Sequence, residues 1–527
     1  MASAEEQGSG SGPTNQESTD PDDLDVMGSV AAPPDDAAEE YRPEFSPELF
    51  IGVARALGTS HEAAISELVN ALDDYGYSVH HVKISRLLED SLIDVTSTPV
   101  SRKFDERIEA LIGEGNRICE EAGSAAAVAD MAVDEVRRMR REDLPVTPGD
   151  SLAGGRGNAR TLRRVFLIDS LKRPAEVLAL RNLYGDHFIL MGLQSNEQRR
   201  TARMRADLAT RGTSNGEDVR LRTESLLGMD NQESKFGQQI STTLAMSDVF
   251  LRVETDPTAR HEVRRMVEIL FGDPKADSPT LTEYGMNLAR QTSFRSPELG
   301  LRVGAALLGS DGDVLATGFN HHPTVDEAPE YDFAAVDLQG LARDTMRLLA
   351  NANILDADVE QAFTENPDDY IRELLKGPLK DSKLRGVTEY QRPVHAEMDA
   401  LLSALRQGVD IRGATLFVTD YPCHGCARHL IALKLGVVYL VPYTKSKTLE
   451  MYGDDAKSFV PFSGVTPSRY QPWFGDGLAE DRKDGFGRRV TWGRDERERA
   501  MPSVDPLIDK RLIDDRESVK ANLLHGL

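Results

Sequence analysis

Apolar positions recur along this chain in two registers. Short continuous runs over Glu48–Ala54, Val165–Asp169 and His187–Gly192 predict buried strands, because a strand covered on both faces needs no polar alternation. After the first run, Ile65, Leu68, Val69 and Leu72 fall on one helical stripe that closes at Gly76, and Tyr77–Ile84 reads as the next strand. Strand, glycine-containing turn, helix and strand outline a nucleotide-binding α/β unit, placed over residues 46–255. From residue 256 the pattern changes. Helices are expected over Arg260–Phe271 and Thr282–Thr292, then a hairpin of Leu301–Leu308 and Val314–Phe319 about the turn Ser310-Asp-Gly-Asp313. A helix starts at His395 with Met398, Leu401, Leu402 and Leu405 as its apolar stripe, and Ala414–Thr419 reads as a buried strand.

The turn after the first strand, Gly52-x5-Gly58-Thr59-Ser60, invites a phosphate-binding reading. A working phosphate loop needs Gly-x4-Gly-Lys-[Ser/Thr], with the lysine on the β and γ phosphates and the hydroxyl on magnesium. Here one residue is extra and the lysine is missing. Gly52, Gly58, Thr59 and Ser60 stay candidates for nucleotide contact through helix-start amides, with Thr59 or Ser60 as a plain helix cap on the other reading. ATP or another nucleotide bound for regulation, or a purely structural domain, are both open.

The strongest chemistry lies in His395-Ala396-Glu397 and, 25 residues after Glu397, Pro422-Cys423-His424-Gly425-Cys426. His395, Cys423 and Cys426 provide three ligands for zinc, one ion per site, and leave a fourth position to water. Glu397, not a ligand, is the proton donor and acceptor. The helix pattern sets His395 at a helix start, and Pro422 suits the first turn of a second helix whose i and i+3 thiols share a face. A closed structural zinc site is the competing reading. His424 is expected to point away from the metal, and His429 to be an ordinary packed or exposed histidine.

Composition narrows the classes. The net charge of −25 argues against a polyanion as the main partner. Residues 1–44 hold twelve acids against Arg42 alone, so 1–45 is expected to be a disordered acidic tail. Cys119, Cys423 and Cys426 are the only cysteines, which leaves no disulfide framework and points to a cytoplasmic setting. No apolar run approaches 18 residues, so no membrane partner is expected. The stretch after Gln471, taken as a C-terminal extension over 471–527, is highly charged.

Val303-Gly-Ala305, Ala316-Thr-Gly-Phe-Asn320, His395-Ala-Glu397 and Pro422-Cys-His-Gly-Cys426 together resemble the deoxycytidylate deaminases of the cytidine deaminase superfamily. This resemblance covers about residues 260–460 within a second domain placed at 256–470. With a phosphate-loop-like domain in front, the chain is similar to the bacterial anti-phage dCTP/dCMP deaminases, a likeness that includes Ile168–Glu176 and Phe236-Gly-Gln238. The resemblance implies a three-layer α/β/α domain with a mixed sheet, and a deoxycytidine nucleotide substrate. It implies that Glu397 moves protons from zinc-bound water to N3 and the departing ammonia, leaving a uracil nucleotide. It also suggests Asn320 on the sugar, Arg295 and Arg302 on the phosphate, a homo-oligomer, and control by an inhibitory RNA or a phage trigger. About 75 residues separate Asn320 from His395, more than a strand-to-helix connection needs. This insert shows helical patterns at Leu338–Asn351 and Asp356–Phe363 and a basic stretch at Lys376–Arg385, and is expected to shape the pocket or build a subunit interface. A tRNA- or DNA-acting deaminase and a non-catalytic zinc-stabilised interaction protein are the alternatives.

Overall fold

The structure, a computed structural model, describes residues 47–504 apart from 97–99, 102, 143–162, 213–216, 232–233, 277, 324–329, 380–381, 383, 385–386, 388–391, 442–447 and 477–481, together with Glu517. The acidic tail at 1–45, Arg385 and most of the chain beyond 504 lie outside the described residues.

The first half runs β1 (Leu49–Arg55), α1 (Glu62–Asp73), β2 (Ser78–Lys83), α2 (Ile84–Thr96), α3 (Phe104–Glu121), α4 (Ala127–Glu142), β3 (Arg164–Leu171), α5 (Pro174–Tyr184), β4 (Phe188–Gln194), α6 (Glu197–Arg211), α7 (Glu217–Met229), α8 (Ile240–Leu244), β5 (Val249–Arg252) and α9 (Asp256–Leu270). The second half runs α10 (Leu281–Ser293), β6 (Gly304–Leu308), β7 (Val314–Phe319), α11 (Phe333–Asn351), α12 (Ala357–Glu365), α13 (Pro367–Lys376), α14 (Ala396–Gln407), β8 (Thr415–Asp420), α15 (His424–Ala432), β9 (Gly436–Val441), α16 (Thr448–Tyr452), β10 (Phe459–Pro461), β11 (Gly464–Val465), α17 (Pro467–Gln471) and α18 (Arg494–Arg497).

The first sheet has the order β11-β5-β4-β1-β3-β2, parallel from β5 to β2, with β11 antiparallel at its edge. Its central strands are buried on both faces, as their unbroken apolar runs require. Leu49, Ile51 and Val53 face one core with Leu68 of α1 and Val263 of α9. Phe50 and Ala54 face the other with Val136 of α4 and Val177 of α5. Gly52 sits inside β1, where an added Cβ would lie 2.7 Å from both Leu171 and Phe188. It is a packing glycine of the sheet and not part of the turn to which the phosphate-loop spacing assigned it.

The second sheet is mixed, with the order β10-β9-β8-β6-β7. Period-two alternation in β6 sends Ala305 and Leu307 toward α14 and α15, and Ala306 and Leu308 toward α10. Helix α10 also touches the first sheet: Met286 and Ala289 share a core with Phe250 of β5 and with Phe462. Its fully buried Glu283 binds Arg265 of α9 at 2.7 Å and accepts the Val465 amide of β11 at 2.8 Å.

The packing crosses both boundaries expected from sequence, 255/256 and 470/471. Helix α9 packs on α1, and Val465, Trp473 and Phe474 enter the first core. Arg497 pairs with Asp273 at 3.0 Å and Arg163 donates to the Ala500 carbonyl at 2.9 Å. The stretch after Gln471 is therefore part of the fold, its aromatic anchors hidden among charges. Trp473 is fully buried, so Trp473→Ala is expected to destabilise the protein by about 3–5 kcal/mol, read from the midpoint of a denaturant unfolding curve. Unchanged stability would place this segment outside the core.

The insert adds α13 to the two helices expected from sequence. Met346, Phe363, Ile371 and Leu375 form its own small core. The chain enters and leaves it at one neck, where His321 and Val394 exchange backbone hydrogen bonds of 3.1 and 2.8 Å. Among the described residues, no helix is long and apolar enough to cross a membrane.

Candidate active site

Two helix starts converge. His395 (φ −76°, ψ 151°) is the N-cap of α14 and Cys423 (φ −67°, ψ 160°) the N-cap of α15. Neither side chain caps its own helix, so both are free to meet. Cys423 Sγ lies 3.4 Å and Cys426 Sγ 3.5 Å from His395 Nδ1. Helix N-termini favour negative charge, which suits thiolates here. Pro422 precedes the N-cap and does not enter the helix, and its carbonyl accepts Thr448 Oγ1 at 3.0 Å. His424 opens α15 with its carbonyl accepting Tyr452 OH at 3.3 Å, and exposed His429 accepts from Arg428 Nε at 3.2 Å.

Helix α14 is held by unusually close packing. Ala396, Ala400 and Ala404 form its buried face with Leu401, whereas Leu402 is 40% and Leu405 74% exposed. The stripe expected from sequence is thus turned on the helix. Small residues face β7 because the helix backbone runs directly over Gly318, where a Cβ would lie 2.2 Å from the Ala400 nitrogen. Asp399 adds a hydrogen bond from the Phe319 amide at 3.2 Å and an ion pair to His321 at 3.5 Å.

Glu397 follows in the first turn of α14 and is buried. Burial pushes its carboxyl up to about 7, against the opposing pull of His395. Hydrogen bonding to Cys423 raises the His395 imidazole to about 9. The Cys423 thiol falls to about 3 because Cys426 donates to it, and the Cys426 thiol is raised by the same bond.

Zinc at 2.3 Å from sulfur and about 2.0 Å from nitrogen in a tetrahedron needs sulfur–nitrogen separations of roughly 3.5 Å. The observed separations meet that value, and all three donor atoms lie within 4.8 Å of one another. His395, Cys423 and Cys426 therefore fit zinc, with Glu397 beside the donor set.

Asn320, Arg295 and Arg302, also singled out from sequence, have the following surroundings. Asn320 accepts the Val303 amide at 2.7 Å through Oδ1 and donates to the Leu301 carbonyl at 2.8 Å, so its side chain ties down the loop before β6. The Arg295 guanidinium stacks over Phe319 at 4.4 Å, and Arg302 is exposed. The loop tied by Asn320 carries Glu298, which the sequence reading missed. Glu298 is buried, its Oε1 has no hydrogen-bond partner, and its carboxyl is pushed up by burial and by Asp332. It feels the charges of His322, His321 and His395. Its only sequence signal was a carboxylate in the short unassigned stretch between Thr292 and Leu301, with the two histidines more than twenty residues further along the chain.

Residues 279–441 match the family model of the cytidine and deoxycytidylate deaminase zinc-binding region. The matched stretch contains His395, Glu397, Cys423 and Cys426. The chain is 42% identical over 48 residues to ComE operon protein 2 of Bacillus subtilis (strain 168), covering 9% of this chain and 25% of that protein. It is 42% identical over 55 residues to the deoxycytidylate deaminase of Enterobacteria phage T2, covering 10% of this chain and 29% of that protein. The matched stretches thus span less than a third of these relatives. Among solved structures, the dCMP deaminase from the cyanophage S-TIM5 aligns at 18% identity and a TM-score of 0.21, over 35% of this chain and 99% of that one.

Proposed function

We propose that this protein deaminates a free deoxycytidine nucleotide, dCMP or dCTP, by hydrolysis to the uracil nucleotide and ammonia. The observation that carries the reading is a buried carboxylate, Glu397, set next to a three-donor cluster without joining it. A closed structural site would take a fourth protein ligand and would have no use for a buried acid there. Zinc in the cluster would supply a water acidified enough to serve as nucleophile near neutral pH. Glu397, a buried carboxyl beside the cluster, would accept that proton and return it to the base and the departing amine. The net charge of −25 favours a free nucleotide over a polymeric substrate. Draining a deoxycytidine nucleotide pool during phage infection is the role such an activity would serve, and control by RNA or a phage trigger and a homo-oligomeric assembly belong to the same proposal.

The test offers purified protein dCMP, dCTP, CTP and single-stranded DNA and RNA, and measures uracil formed. Turnover of a free deoxycytidine nucleotide is expected. Turnover of the polymers alone would overturn the reading and favour a nucleic-acid deaminase.

A further inference from the structure

A cavity of 310 Å³ opens at the carboxyl ends of β1, β2 and β3, lined by Arg55, Gly58, Thr59, Ile84, Ser170 and Lys172 among others. This volume lies in the range of small-molecule sites. The place is also the one at which a doubly wound sheet takes ligands: the chain leaves β1 toward the β3 side and crosses from β3 to β4 on the opposite side. Among the described residues it shares no lining residue with the zinc cluster.

Two buried polar groups in its wall lack partners. The Thr59 hydroxyl is on a residue 3% exposed, and Oε1 of Gln238 on one 7% exposed, and neither makes a hydrogen bond. Unpaired buried groups carry their whole desolvation cost, and a ligand that pairs with them removes it. The backbone is strained at the same place. Ser170 has φ +82° at a bulge where β3 slips one residue against β1. Such outliers gather at ligand sites.

The lining is cationic in an acidic protein. Five arginines and one lysine stand against three carboxylates. Lys172 is spent on Asp230 at 2.6 Å and Arg173 on Glu176 at 2.8 Å. Arg203 and Arg107 are 40% and 41% exposed; Arg203 pairs with Glu62 at 2.7 Å and reaches Asp207 at 4.0 Å, and Arg107 pairs with Glu89. Arg55 borders the cavity with Asp169 at 3.7 Å, and Asp169 is shared with His81 at 3.4 Å. Ile84, Leu88, Ile108 and Leu111 add apolar lining. An anion joined to an apolar ring would match both parts.

Packing accounts for the glycine and the hydroxyl of the phosphate-loop-like spacing. Gly58 is required by its φ of +78° and by the Arg200 carbonyl, 2.5 Å from where its Cβ would be, so helix α6 accounts for it. Ser60 donates to Glu62 at 3.1 Å. Where phosphoryl transfer would need a lysine directly after Gly58, the segment has Thr59, and the hydroxyl of Ser60 that follows is turned to Glu62.

We infer that this cavity is a second ligand site, which holds a nucleoside phosphate and does not cleave it. The phosphate meets Thr59, Arg55 and Arg203, and the ring lies against the apolar lining.

The full-length, zinc-loaded protein is titrated with ATP, GTP and dTTP, and in parallel with adenosine and inorganic triphosphate, by equilibrium dialysis. At least one nucleoside triphosphate is expected to bind once per chain, at least tenfold tighter than either fragment. Arg203→Glu and Thr59→Val should each weaken it at least tenfold. Thr59→Val removes an unpaired hydroxyl, so its melting temperature without ligand should hold or rise, which a merely structural role for Thr59 would not give. Binding should survive Glu397→Gln, so the site stands or falls apart from the deaminase reading. No binding by any triphosphate, binding indifferent to both substitutions, or inorganic triphosphate binding as tightly as the nucleotides would overturn the inference.

Discussion

Glu397→Gln is expected to lower deamination by about 10²–10⁴-fold while zinc content and melting behaviour stay near those of the unchanged protein. The amide keeps the shape of the side chain in its buried pocket and takes away only its capacity to move a proton. Glu397 is outside the donor set of His395, Cys423 and Cys426, so the metal has no reason to leave. The carboxyl is also raised to about 7 by burial, an expense the fold bears at a position where glutamine would be easier to bury. Turnover, zinc per chain and thermal unfolding are measured on the same preparation. Retained turnover would remove Glu397 from the chemistry.

Gly318→Ala, far from the metal in sequence and without any chemistry of its own, is expected to have the second largest effect. The added Cβ would stand 2.2 Å from the Ala400 nitrogen and 2.4 Å from the Ala396 oxygen, both backbone atoms of α14. No side-chain rotation relieves that overlap. The helix must move off β7, and it carries His395 as its N-cap and Glu397 in its first turn. Overpacking of this kind costs about 1–3 kcal/mol, and a misplacement of about 1 Å at a reacting group costs on the order of 10²-fold in rate. The expected result is weaker zinc retention during dialysis against a chelator, together with a fall in turnover of at least that order. Full activity with normal zinc retention would show that α14 is not positioned by its contact with β7.

The cluster of His395, Cys423 and Cys426 was legible because its chemistry is local: a helix start, two thiols one turn apart, and a carboxylate two residues from the histidine. The buried strands were legible because strands covered on both faces leave unbroken apolar runs. The turn of α14 was not, since its buried face is alanine. Alanine faces the sheet because the helix backbone touches Gly318, a fact set by a distant residue. Gly52 looked like part of a loop by spacing alone and is a strand glycine that makes room for Leu171 and Phe188. The placement of α9, Trp473 and Phe474 in the first core depends on long-range packing with no local signature. The site near Glu298 is assembled from a loop, the neck of the insert and α14, three segments that only the fold brings together.

Helix α10 makes the two halves one body. Its Met286 and Ala289 pack between Phe250 of the first sheet and Phe417 of the second, and Glu283 binds α9 and β11. A ligand in the N-terminal cavity and a nucleotide at the zinc cluster would therefore act on one connected core.

The most direct measurement follows the oxygen. Zinc-loaded protein is given dCMP or dCTP in water enriched in the heavy oxygen isotope, and the product and ammonia are quantified by mass spectrometry. Uracil nucleotide and ammonia are expected in equal amounts, with one solvent oxygen at C4. A protein that holds one zinc per chain yet releases no amine from either nucleotide would contradict it, and would leave the cluster as a structural metal site.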